Sequence, residues 1–216
     1  MKERYYTLKE EIINSVSHGI GAILTIGFTI PIISRAARLG DRVKMMSFTV
    51  YMICLTLMFL TSTLYHGIRN LKAKRIFRIL DHCAIFLCIA GTYTPILLLG
   101  VGGRVGKIML AIVWALAVFG IIMKLVSFKK ADLNKTEKLS LTLYLAMGWI
   151  SILIVNKILR TLGIKFFLYI IFGGILYSVG VYFYKNRKIK FNHAIWHFFI
   201  LGASISMYIG IASYLG

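Results

Sequence analysis

Residues 191–216 read FNHAIWHFFILGASISMYIGIASYLG, and this stretch decides the fold class. From His193 to Tyr214 the chain carries no Asp, Glu, Lys or Arg. A helix needs about 20 such residues to cross a hydrocarbon core roughly 30 Å thick, and a water-soluble core has no use for a run of that length. Six further windows of the same character precede it, at 16–36, 46–66, 79–99, 106–126, 139–158 and 166–185, with 193–214 the seventh. The expectation is an all-α protein, an integral membrane bundle of seven transmembrane helices.

The rest of the composition agrees. The chain has 216 residues, 59% of them hydrophobic, and a mean hydropathy of +0.81, far above a soluble domain. Connections between windows are short, so 1–216 reads as a single membrane domain. A glycine-rich turn, GVGGRVG at 100–106, parts the third window from the fourth. Pro95, in GTYTP at 91–95, should kink the third helix and free the carbonyl near Gly91. Gly173, Gly174 and Gly202 with Ser206 read as small-residue helix contacts. Trp149, Tyr182 and Tyr184 suit interfacial belts or core packing. The N-terminal stretch lacks signal-peptide architecture, so the first membrane segment is expected to be retained.

Lys and Arg number 26 against seven acidic residues, a net charge of +19. They lie in short clusters between apolar windows, the pattern of loops facing anionic headgroups rather than of a nucleic-acid surface. The side that holds the N-terminus carries 17 of the 26 basic residues and the opposite side nine. The N-terminus is therefore expected in the cytoplasm and the C-terminus outside. Cys54, Cys83 and Cys88 fall within apolar windows without CxxC spacing, as buried small hydrophobes rather than disulfide or thiolate-metal partners.

Titratable groups at membrane depth usually face a bundle interior. All five histidines lie at ends of windows: His18 opens the first, His66 closes the second, His82 opens the third, and His193 and His197 open the seventh. Asp81 also opens the third. With alternating helix directions these six residues share one membrane level, the cytoplasmic one in the expected orientation. His193 and His197 are four apart on one helix face, as are Ser62 and His66. Two imidazoles at that spacing can hold one metal ion, and a third from a neighbouring helix completes an open, catalytic zinc arrangement. Imidazole also suits copper, nickel and iron, so zinc is a preference.

Three roles fit Asp81: direct ligand, holder of a water at the metal, or ion-pair partner of Arg78. Ser62 could donate to that water or to a substrate carbonyl. His82 points about 100° away from Asp81 and reads as a packing or hydrogen-bonding residue. Glu11, Asn14 and His18 share a helix face. They form either a polar network or proton path behind the metal, or the solvated first turns of a helix. Asn192 suits the N-cap of the last helix. Ala194 occupies the second position of HxxxH, so this helix supplies no HExxH base.

Four segments in order, EIINSVSHGIGA, STLYH, RILDHCAIFLCIAGTYTP and HAIWHFF, resemble the hemolysin III family over essentially the whole chain. That family is the bacterial branch related to the progestin and adipoQ receptors, within a superfamily that includes alkaline ceramidases. The resemblance implies a bacterial plasma-membrane protein with seven helices, a cytoplasmic N-terminus and a Zn2+ ion near the inner leaflet. It also implies His66, His193 and His197 as ligands, Asp81 holding a water at the zinc, and Ser62 as the serine of the first motif. The function expected is a zinc-dependent hydrolase of a lipid amide or ester, with membrane lipids as partners and no nucleic acid. The alternatives are a non-enzymatic sensor of membrane state with a structural zinc clamping the second, third and seventh helices, or a proton or ion transporter.

Overall fold

The computed structural model describes residues 6–129 and 133–216. Lys2, Arg4 and Lys130, counted among the basic residues above, lie outside the described residues. Among those described, every regular element is helical: α1 (Leu8–Arg38), α2 (Arg42–Gly67), α3 (Leu71–Pro95), α4 (Gly103–Lys129), α5 (Leu133–Gly148), α6 (Val155–Lys185) and α7 (Asn192–Tyr214). A π turn, Ile96–Val101, extends α3, and a 3₁₀ turn, Ile150–Ile154, joins α5 to α6.

Six runs of the described chain are long and apolar enough to cross a membrane. One of them, Thr136–Lys185, is 50 residues long, but it is not straight. Gly163 has φ 79°, a conformation that glycine adopts without steric cost. Trp149 Nε1 donates to Ser178 Oγ, 29 residues on, at 3.0 Å. A straight helix would hold those residues about 43 Å apart, so the chain doubles back at Gly163. That reversal falls in the gap between the windows 139–158 and 166–185.

The helices outrun the apolar windows at their N-terminal ends, which corrects the expected boundaries. α1 starts at Leu8 instead of 16, closed by a reciprocal capping box. Thr7 Oγ1 accepts from Glu10 N, and Thr7 N donates to Glu10 Oε2. α3 starts at Leu71, so the basic stretch 71–78, read as loop, is helical and is capped by Asn70 Oδ1. Hydropathy marks the length that lipid covers, whereas backbone hydrogen bonding continues through polar turns beyond it. Asp81 and His82 consequently lie nearly three turns inside α3 rather than at its start.

After Pro95 the hydrogen-bond ladder changes register, and Gly102 N donates to Leu97 O at 3.0 Å, the i to i+5 spacing of a π turn. Asn192 departs from expectation too. It is the first residue of α7, while Phe191, at φ 57°, holds the N-cap position. The Asn192 Nδ2 donates to the carbonyls of Phe183 and Tyr184, both at 3.1 Å. The last carbonyls of a helix lack intrahelical donors, so Asn192 closes α6 and fixes where α7 begins. Between those helices Gly173 allows close approach, since a Cβ there would stand 2.8 Å from Met207 Cε and 3.3 Å from Ala203 O. Gly202 is looser, with only Leu176 nearby at 3.6 Å. Cys54, Cys83 and Cys88 are buried and unbridged. Trp149 points inward to its hydrogen bond, whereas Tyr182 is exposed.

Candidate metal centre

One face of α1 presents Glu11, Asn14, Ser17 and His18, spaced by three, three and one. The last turns of α2 present Ser62 and His66, and the first turns of α7 present His193 and His197. α1 lies against both α2 and α7, which brings these residues into one buried cluster. His66, His193 and His197 each offer a ring nitrogen such that all three lie within 4.8 Å of one another. All three rings are buried.

The hydrogen bonds fix which nitrogen is free. His66 Nδ1 lies 2.7 Å from Glu11 Oε2; a carboxylate only accepts, so Nδ1 carries a proton and Nε2 is the nitrogen left to face a metal. Lys74 Nζ meets the other oxygen of Glu11 at 2.9 Å and donates to Tyr65 O at 3.0 Å. The lysine thus neutralises the carboxylate while closing the C-terminal end of α2. His197 Nδ1 lies 3.1 Å from Asn14 O and 3.0 Å from Ser17 Oγ. The carbonyl too can only accept, so Nε2 of His197 is likewise the free nitrogen. His66 Nε2 faces His193 Nε2 at 3.1 Å.

Two imidazole nitrogens at that distance require a shared proton or a cation between them. Tetrahedral ligands at 2.0–2.1 Å from zinc stand about 3.3 Å apart, so the observed spacing is within a few tenths of an ångström of a metal-ligand edge. Three imidazoles, two of them with Nδ1 tied to an acceptor, form the donor set and outer support that zinc takes in open sites. The residues present fit the ion.

Around the triad the sequence-derived candidates separate. Glu11 and Asn14 stand behind the ligands rather than in a solvated first turn. Asn14 is fully buried, and its side-chain amide makes no hydrogen bond among the described residues. His18 is outside the triad and stacks on His197, with ring centroids 3.6 Å apart and planes 16° from parallel. Neither of its ring nitrogens has a hydrogen-bond partner among the described residues. Asp81 lies in the wall of the same cavity as His193 and His197. His82 Nδ1 lies 3.6 Å from its Oδ2, and among the described residues no contact of ion-pair length joins Asp81 to Arg78. Ser62 also lines this cavity, its buried Oγ directed at the Asp81 carboxyl but without a hydrogen bond of ordinary length and angle among the described residues. His82 takes the hydrogen-bonding role expected of it: Nδ1 donates to Arg78 O at 2.6 Å, and its carbonyl accepts from Tyr144 Oη at 2.7 Å.

Sequence reasoning missed two residues. Ser17 had a usable signal, since it follows Asn14 by three on the same helix face. Lys74 had none, because it sits in a stretch whose basic residues read as loop charge.

The cavity holds about 1370 Å³ of atom-free space, part of it continuous with the outside. It runs from the histidines along apolar walls such as Ile85, Ile89 and Ile200 to Trp149.

Comparison with known proteins gives a consistent set of relatives. A family model described as "Haemolysin-III related" matches residues 6–208. The chain is 44% identical to "Hemolysin-3" of Bacillus cereus over 208 residues, covering 96% of this chain and 93% of that protein. It is 44% identical to the "Hemolysin-3 homolog" of Bacillus subtilis (strain 168) over 209 residues, covering 97% and 96%. At 30% identity over 172 residues it is similar to the human "Monocyte to macrophage differentiation factor", covering 77% of this chain and 69% of that one.

Proposed function

The chain belongs to the hemolysin III family of integral membrane proteins, and on that premise we propose that it is a zinc-dependent hydrolase of a lipid amide or ester. The reading is carried by one observation, the convergence of the three histidines beside a cavity whose wall presents His193, His197 and Asp81. Bound there, zinc would polarise a substrate carbonyl and bring the pKa of a water towards neutrality. The protein's own groups divide the remaining work. Glu11 and the Asn14 carbonyl hold protons on Nδ1 of His66 and His197, which keeps both Nε2 atoms available as ligands. The Asp81 carboxylate accepts the proton of the attacking water and returns it to the departing amine or alcohol as the acyl C–N or C–O bond breaks. Ser62 Oγ donates to the carbonyl oxygen, and the apolar walls shield the acyl chain.

The membrane arrangement belongs to the same proposal. The reversal at Gly163 supports two crossings by the run Thr136–Lys185, hence seven in all. The excess of Lys and Arg supports a cytoplasmic N-terminus and an outer C-terminus. Together they support a position of the histidines at the inner leaflet of the plasma membrane, where a lipid can enter between helices.

The test is turnover of a fluorescent N-acyl lipid by purified protein in nanodiscs. Asp81→Asn is expected to lower the rate by ~10²-fold or more, the usual range for a general base, with metal content unchanged. Undiminished turnover in that variant contradicts the assignment. One observation favours a second reading, a structural zinc in a non-enzymatic regulator: the histidine network links α1, α2 and α7. That network adds α1 to the helices expected from sequence. It predicts a metal-dependent melting temperature and no turnover of any lipid.

A further inference from the structure

His18, the one histidine of α1, is 3% exposed and borders the cavity without belonging to the triad. The turn before it already holds His197, through Asn14 O and Ser17 Oγ on the ligand's Nδ1. His18 adds a contact of another kind. Its ring covers one face of the His197 ring, with centroids 3.6 Å apart and planes 16° from parallel. From α2, Phe59 meets His18 at 88° with centroids 5.1 Å apart and backs it. That seat depends on Gly21, where a Cβ would stand 2.5 Å from the Phe59 ring.

A stack with so little offset is not what two neutral rings choose. Uncharged aromatic rings repel face to face and settle into offset or edge-on pairs, with centroids about 4.5–7 Å apart. A positive charge on one ring reverses the sign, because the face of the neutral ring is its negative side. His18 is the neutral member. Neither of its nitrogens makes a hydrogen bond of ordinary length and angle among the described residues. The charged groups of the cavity wall, Asp81, Lys124 and Glu137, form no ion pair with it among those residues, and a buried imidazolium would need such a partner. His197 is the member that becomes positive, when its Nε2 binds a metal ion. Nor does His18 share that ion as a ligand. A ring nitrogen's lone pair lies in the ring plane, and the lone pairs of two rings stacked in parallel do not converge.

We propose that His18 is a positioning residue of the metal centre: its neutral face holds the His197 ring in the plane that aims Nε2 at the ion, and grips that ring more strongly once the ion has made it positive. The contact therefore stabilises the metal-bound state and contributes little to the fold without metal. It rests on the three-histidine metal site and requires nothing of the hydrolase chemistry.

The experiment titrates purified full-length protein, stripped with chelator, with cobalt(II), whose visible absorption reports its ligand set, and then displaces the cobalt with zinc. His18→Leu fills the site without a π face, His18→Gln keeps a polar N–H without one, and His18→Phe keeps a face without ring nitrogens. His18→Leu and His18→Gln are expected to bind both metals about 30-fold more weakly than wild type, the scale of a desolvated cation–π contact, with the cobalt spectrum unchanged. His18→Phe is expected to recover most of that loss. In excess chelator all three are expected to melt with wild type, which shows that they are folded and that the contact acts through the bound metal. Wild-type affinity in His18→Leu overturns the proposal and leaves the metal site standing. A His18→Phe protein as weak as His18→Leu puts the role on the ring nitrogens, and an altered cobalt spectrum makes His18 a ligand; either overturns it. A melting temperature lowered as much in chelator as with metal makes His18 a packing residue and also overturns it. Wild-type protein that takes up no metal overturns the proposal together with the metal site.

Discussion

His193→Ala inserts and folds but no longer keeps metal through purification. The imidazole it loses supplies one of three ligand nitrogens, and its partner His66 Nε2 stands 3.1 Å away. A partner of a ligand is worth ~10–100-fold in metal affinity, so loss of a ligand itself must cost more than ~100-fold. The backbone has little reason to change, because the first turns of α7 are anchored by Asn192 to the carbonyls of Phe183 and Tyr184. Metal that binds only the folded state stabilises it, by about 4 kcal/mol when present at a thousand times its dissociation constant. Wild type should therefore melt at a lower temperature after chelation, and His193→Ala should melt alike with and without chelator. A variant that retains the metal-dependent shift would exclude His193 as a ligand.

Glu11→Gln is the second large effect, and it separates an outer partner from a ligand. The carboxylate holds the proton on His66 Nδ1 at 2.7 Å and is itself held by Lys74 at 2.9 Å. Glutamine keeps the shape but can turn its amide N–H towards the ring, which favours the tautomer with the proton on Nε2. Metal affinity is expected to fall by ~10–100-fold, measured by competition against a chromophoric chelator. Lys74→Met should move it in the same direction but by less, since it only orients Glu11. A Glu11→Gln protein with wild-type affinity would show that Glu11 is a surface ion-pair residue and nothing more.

How much of this was legible in the sequence depends on what each signal reports. Apolar windows report the length that lipid covers, and they located the helices. They could not report where hydrogen bonding ends, so α1 and α3 each start eight residues earlier than the windows suggest. The triad was legible because His193 and His197 are bound to one face by helical spacing, and because alternation of helix direction puts His66 at their level. The rotation of each helix about its own axis leaves no such trace. For that reason Lys124, grouped with loop charge on sequence, proves to face the cavity, and Asn192, read as an N-cap, proves to hold the preceding helix. Lys74 was hidden for the same reason, since its partners come from α1 and α2.

The central claim is that His66, His193 and His197 hold one zinc ion, and elemental analysis of the purified wild-type protein tests it most directly. The protein is prepared without an affinity tag that binds metal and measured by inductively coupled plasma mass spectrometry. The account predicts close to one zinc per chain, falling to background in His66→Ala and His193→Ala. Wild-type protein that is folded and free of bound metal, or variants that retain the wild-type amount, would contradict it.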